Sequence, residues 1–162
     1  MDAKFAKRFL AFFILVVGIF IIDYDPLRFT KKTTKFEART WNKDNIVKVP
    51  LFLREKDAGR PFNFYITFHH TEQYPYSNLI FSYRLLREGE VVEQDIYDLQ
   101  VLDKKTGLPL GKGALLGQEI FVKFITRLKI ERPGEYTLEL QQLMRKDSLP
   151  GCVKVHIDVT KK

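Results

Sequence analysis

The chain has 162 residues and a mass of 19.1 kDa, enough for one ordinary domain plus an appendage and too little for two independent cores. With 45% apolar and 29% charged residues it is neither a disordered tail nor a multi-span membrane protein, and its one cysteine, Cys152, excludes an internal disulfide framework. The net charge of +7 is uneven: ten basic residues stand against four acidic ones from Leu27 to Arg60, but fourteen against thirteen from Pro61 onward.

The first element is a run of fourteen uncharged residues, Phe9 to Ile22, preceded by Lys4, Lys7 and Arg8 and closed by Asp23. Phe9, Leu10, Phe12, Phe13, Ile14, Leu15, Val16, Val17, Ile19, Phe20, Ile21 and Ile22 give it no polar face, so it reads as a membrane segment rather than an amphipathic core helix. As a helix it is about 21 Å long, short of the ~30 Å hydrocarbon core, which is the length of a signal-peptide core. No small-residue cleavage site follows, and no cysteine for lipid attachment occurs before Cys152. The expectation is an uncleaved anchor over residues 1–26, with snorkelling of Lys7 and Arg8 making up the missing length. Residues 27–40 follow as a basic juxtamembrane segment or first strand, carrying Arg28, Lys31, Lys32, Lys35 and Arg39. Residues 41–162 form the domain, placed outside the cytoplasm by the export-type charge arrangement.

Within the domain, period-two alternation recurs and helical periodicity does not. Phe62, Phe64, Ile66 and Phe68 share one face of a strand; Leu79, Phe81, Tyr83 and Leu85 another; Tyr136, Leu138 and Leu140 a third; Val153, Val155, Ile157 and Val159 a fourth. Weaker patterns at Arg28 to Arg39, Ile46 to Leu53, Val91 to Leu102 and Gln118 to Lys129 bring the total to about eight. Turn-rich segments separate them at Asp57 to Pro61, Arg87 to Glu90, Asp103 to Gly113, Arg132 to Glu135 and Ser148 to Gly151. The prediction is an all-β fold: a β-sandwich of jelly-roll or immunoglobulin-like type, with an N-terminal hydrophobic anchor helix.

The motifs for chemistry are weak. His69 and His70 point to opposite faces of a strand, and His156 is the only other histidine, so no metal site is expected. Asp95 with Asp98, or Glu88 with Glu90, are carboxylates of the kind found on exposed strand edges. Cys152 follows Pro150-Gly151 at the start of a strand, away from any helix N-terminus that would activate it, and Gly111-Lys112-Gly113 lacks the spacing of a phosphate loop. No nucleic-acid motif accompanies the basic stretch. The expectation is a non-enzyme with no cofactor and no nucleic-acid partner.

One cluster suggests recognition instead. Trp41 and Asp44, and the stretch from His70 through Tyr74, Tyr76 and Asn78, gather aromatic and amide side chains at strand ends. With Met144 and Arg145 they make a candidate interaction surface, for protein or, alternatively, for cell-wall or surface glycan. These pieces, together with Pro61-Phe62-Asn63, the Gly107, Leu110, Gly111 and Gly113 turn, Pro133-Gly134-x-Tyr136 and Gln142-x-Met144-Arg145-x-Asp147-x-Leu149-Pro150-Gly151, resemble in order the gliding-motility lipoprotein GldH family. The resemblance runs from Trp41 to about Ile157. It implies a non-enzymatic cell-envelope accessory of gliding motility and type IX protein secretion, whose partners are other envelope proteins of those systems. The chain departs from the family at its start, where Ile21, Ile22 and Asp23 stand in place of a lipidated cysteine.

Overall fold

The computed structural model describes residues 28–114 and 117–162. The run Phe9 to Ile22 lies outside the described residues. Among those described, no helix is long and apolar enough to cross a membrane.

Among the described residues eleven strands make up the body: β1 (Arg28–Lys35), β2 (Thr40–Asn42), β3 (Val47–Leu53), β4 (Pro61–His70), β5 (Asn78–Arg87), β6 (Glu90–Gln100), β7 (Lys112–Ala114), β8 (Gly117–Lys129), β9 (Gly134–Gln142), β10 (Ser148–Pro150) and β11 (Cys152–Lys161). Two open antiparallel sheets carry most of them, one in the order β1-β11-β4-β8-β7 and the other β3-β9-β5-β6, while β10 and β2 pair separately. All eight strands read from alternation are present, and their inward faces form one core. Phe62, Phe64, Ile66 and Phe68 from the first sheet and Leu79, Phe81, Leu138 and Leu140 from the second are all sealed from solvent. Each of these side chains lies on the same parity of its strand, so the apolar faces of two sheets cover one another, as in a β-sandwich.

Four local features differ from the expectation. The short strands β2, β7 and β10 fall where linkers or turns were expected, because three residues are too few for alternation to register. The strand expected over Arg28 to Arg39 ends at Lys35 and gives way to a 3-10 turn at Glu37–Arg39, in which Ala38 and Arg39 both have positive φ. On β11 a bulge between Cys152 and Lys154 shifts the register, so Cys152 rather than Val153 joins the buried face. On β8 the register jumps from Tyr65↔Lys123 to Phe64↔Ile125, and the extra residue, Phe124, turns its ring inward. That ring lies 5.6 Å from Phe81 and 5.5 Å from Tyr83, tying the sheets together.

Short connections give the sandwich two distinct ends. At the near end β1 begins beside the end of β11 (Arg28↔Thr160), and the Lys162 N–H donates to the Pro61 carbonyl at the start of β4. At the far end lie the end of β4, the start of β5, the end of β9 and the start of β11. The ten residues of β4 separate the two ends by about 30 Å.

A candidate interaction cleft at the far end

The far end is built on a buried polar-aromatic pack. Trp41 is fully buried, stacks on Phe36 at 4.8 Å, and donates its indole N–H to the Asn45 carbonyl at 2.9 Å. Tyr74 packs edge-on against Phe68 and donates its hydroxyl to the Asn78 carbonyl at 2.8 Å. His70 lies 5.4 Å from Tyr74 and shares a 3.1 Å hydrogen bond between its Nδ1 and the Thr71 carbonyl. Gly151, at φ 78°, lets this layer close, since a Cβ there would meet the Tyr74 backbone nitrogen.

Burial sets the electrostatics of this pack. It holds the Cys152 thiol protonated, pushed up to about 12, and keeps the Tyr74 phenol far above its ordinary range. The same cause lowers His70, only partly opposed by its bond to Thr71. Trp41, His70 and Tyr74 therefore brace the surface from inside rather than presenting their side chains to a partner. Asp44 is exposed, and nothing places it beside the others.

Four of the expected surface residues do come together. Tyr76, Asn78, Met144 and Arg145 line an open cleft of about 320 Å³ with Ile80 and Leu143. The loop after β9 forms one wall, held because the Leu143 N–H donates to the Ile80 carbonyl at 2.8 Å and the Ile80 N–H points at Met144 Sδ, 3.2 Å away. Gln142, fully buried, fixes that loop from beneath: its Oε1 accepts from the Met144 N–H and its Nε2 donates to the Lys146 and Asp147 carbonyls. Opposite, Asn78 Nδ2 donates to Asp98 Oδ1 at 2.7 Å, and the Tyr76 ring stands edge-on to Tyr74. Leu143 is exposed and Arg145 is exposed without an ion-pair partner among the described residues. The result is an apolar floor with an aromatic wall and one free cation at the mouth.

The carboxylates weighed for catalysis do not converge. Asp98 is spent on Asn78, Asp95 Oδ1 accepts from the Ile96 N–H, and three residues along a strand place the two on opposite faces. Glu88 lies in a turn beside Arg87. Among the described residues no three His, Cys, Asp or Glu side chains are grouped as metal ligands.

The family model described as GldH lipoprotein matches residues 28–159. The chain belongs to the GldH lipoprotein family. That makes it a gliding-motility-related protein of the cell envelope, associated with a membrane. Among curated proteins nothing matches. Solved structures similar in part include the insecticidal delta-endotoxin Cry8Ea1 of Bacillus thuringiensis, at 11% identity and TM-score 0.41, covering 76% of this chain and 19% of that one. Dimeric latent PorU of Porphyromonas gingivalis is similar at 9% identity and TM-score 0.41, covering 84% and 13%. Chicken MD-1 complexed with lipid IVa is similar at 13% identity and TM-score 0.30, covering 82% and 98%. This GldH chain thus spans about a fifth of the toxin and an eighth of PorU.

Two cleft residues of this GldH chain, Ile80 and Leu143, escaped the motif reading. Ile80 carried a signal, since with Leu86 it makes the second face of β5 partly apolar. Leu143 carried none, since it lies between Gln142 and Met144 without belonging to the motif.

Proposed function

We propose that this GldH chain is a non-enzymatic accessory of gliding motility and type IX secretion that works by holding another envelope protein at its far-end cleft. The observation that carries the reading is the position and lining of that cleft. It opens about 30 Å from the residue where the domain begins, so a chain tethered through its N-terminus presents the cleft away from the membrane. The uncleaved run Phe9 to Ile22 supplies that tether and leaves the domain in the periplasm. Tyr, Met and Arg are the residues enriched where proteins meet, and an apolar floor with one cation suits an apolar side chain flanked by a carboxylate. At the low end of the ~300–1,000 Å³ of small-molecule sites, the cleft takes one or two partner side chains rather than a whole ligand. A glycan partner fits less well, because Trp41 and Tyr74, the rings that would stack on sugar, are inside.

The test is capture of neighbours by the full chain from envelope membranes, comparing wild type with Leu143→Asp and Arg145→Glu. Both variants lose the specifically captured protein by tenfold or more while their thermal midpoints stay unchanged. Equal capture by wild type and variants would move the contact elsewhere, and binding to purified cell-wall glycan with no captured protein would favour the carbohydrate reading.

A further inference from the structure

The outer faces of the two sheets differ in charge. Cross-strand partners share a side of the sheet, so the pairings set Lys112, Glu119, His69, Lys154 and Lys35 in a row across the five-stranded sheet, from β7 to β1. The next row holds Phe121, Thr67, His156 and Thr33, and the one after it Lys123, Tyr65 and Asp158. These rows are on the outer side, because Phe64, Ile66 and Phe68 alternate with them on β4 and are sealed in the core. The acids in these rows are already engaged, Glu119 with His69 at 3.3 Å and Lys154 at 3.5 Å, and Asp158 with Arg28 at 3.5 Å. Lys35, Lys112 and Lys123 are exposed and have no ion-pair partner among the described residues. On the outer face of the four-stranded sheet the cations Lys48 and Arg84 are both held by Glu139, at 3.2 and 2.7 Å.

Lys35 and Lys154 are direct cross-strand partners, a like-charge pairing that costs stability in a sheet and is relieved by an anion set above it. Phe121, one row away, is 64% exposed, and its ring lies parallel to Tyr65 at 5.2 Å, with Lys123 Nζ 5.3 Å from the centre of the Tyr65 ring. The result is a fixed aromatic ring with one open side, set among ammonium groups. We propose that this face binds an acidic polysaccharide, a sugar ring stacking on Phe121 while carboxylate, phosphate or sulfate groups along the polymer meet Lys123, Lys112 and the pair of Lys35 and Lys154. With strands ~4.8 Å apart, the row from Lys112 to Lys35 spans about 19 Å, room for several sugar units rather than one small anion. Beside Phe121, Thr67 and Thr33 supply hydroxyls on either side of the His156 ring, whose Nδ1 is bonded to the Thr33 hydroxyl at 2.8 Å. Such groups pair with sugar hydroxyls, whereas a protein partner needs the apolar core that this row lacks. The strands run along the line from near to far end, so on the tether reading proposed above the face stands upright from the bilayer rather than against it. The site is separate from the far-end cleft, which it leaves open.

The test is binding of the full chain, in detergent micelles, to polygalacturonate and dextran sulfate, with neutral dextran, polyglutamate and single-stranded DNA as the other arms. The wild type binds at least one of the two acidic polysaccharides, ignores dextran, and holds polyglutamate about tenfold more weakly because that polymer offers no ring to Phe121. Phe121→Ala weakens the polysaccharide about tenfold and leaves polyglutamate unchanged. Lys35→Glu with Lys123→Glu weakens it further and flattens its salt dependence, since exposed charges are screened beyond ~8 Å at physiological ionic strength. All three side chains are exposed, and should the charge-reversed chain fold poorly, Phe121→Ala decides alone. Leu143→Asp leaves polysaccharide binding unchanged, and Phe121→Ala leaves protein capture at the cleft unchanged, so the two sites fail separately. No binding to either acidic polysaccharide, undiminished binding by Phe121→Ala, or polyglutamate or single-stranded DNA held as tightly as the polysaccharide would overturn the proposal.

Discussion

The far end of this GldH domain holds two populations of similar residues with opposite fates. Trp41, Tyr74 and Cys152 are packed under the strand ends, while Tyr76, Leu143 and Arg145, a few positions away, open to solvent. The difference lies in strand register and loop path rather than residue type: Trp41 sits opposite Leu149 in the small β2–β10 ribbon, which turns it inward, whereas the loop after β9 carries Leu143 and Arg145 outward. On the proposed function, stability and recognition are neighbouring properties of one motif-rich region, and substitutions separate them.

The largest effect is expected from Trp41→Ala, which empties a fully enclosed site and removes an indole hydrogen bond; about 3–5 kcal/mol of stability should go, read as a large fall in denaturant midpoint. Tyr74→Phe keeps the ring and removes only the hydroxyl donated to Asn78, leaving that carbonyl one partner short. It should cost about 1 kcal/mol, measurable by chemical denaturation. A third comparison uses pH. His69, His70 and His156 are all held below the ordinary histidine value, chiefly by burial. Each folded value being depressed, the unfolded chain takes up protons first, so stability is complete above about pH 6.5 and falls as pH drops below it. Unfolding curves between pH 8 and 5 should show that loss, shallower in His70→Gln. The smallest effect on stability belongs to Arg145→Glu, within about 0.5 kcal/mol of wild type, although it should lose partner capture. If instead Arg145→Glu unfolded the domain or Trp41→Ala left it stable, the division between pack and cleft would fail.

The strands were legible in the amino-acid order wherever alternation ran unbroken, as in Phe62 to Phe68 and Leu79 to Leu85, because a half-buried strand imposes period two on its residues. Bulges were not: an inserted residue such as Phe124 or Val153 reverses the phase without any mark in residue type. The candidate surface was legible as a place in the fold and not as a face. Motif reading put Trp41, His70, Tyr74 and Met144 near Tyr76, Asn78 and Arg145, but which side chains turn inward depends on long-range pairing such as Leu149↔Trp41 and Cys152↔His70. Ile80 and Leu143 needed the loop after β9 to be folded back on β5 before they became neighbours.

Site-specific photocrosslinking in living cells tests the central claim most directly, with a photoreactive phenylalanine placed at Leu143 in the full chain and, as a control, at Phe121 on the outer face of the other sheet. The account predicts an adduct with a defined envelope protein from position 143 that disappears when Arg145→Glu is added, and none of that adduct from position 121. An adduct of equal yield from both positions, or none from position 143 in cells that glide and secrete normally, would contradict it.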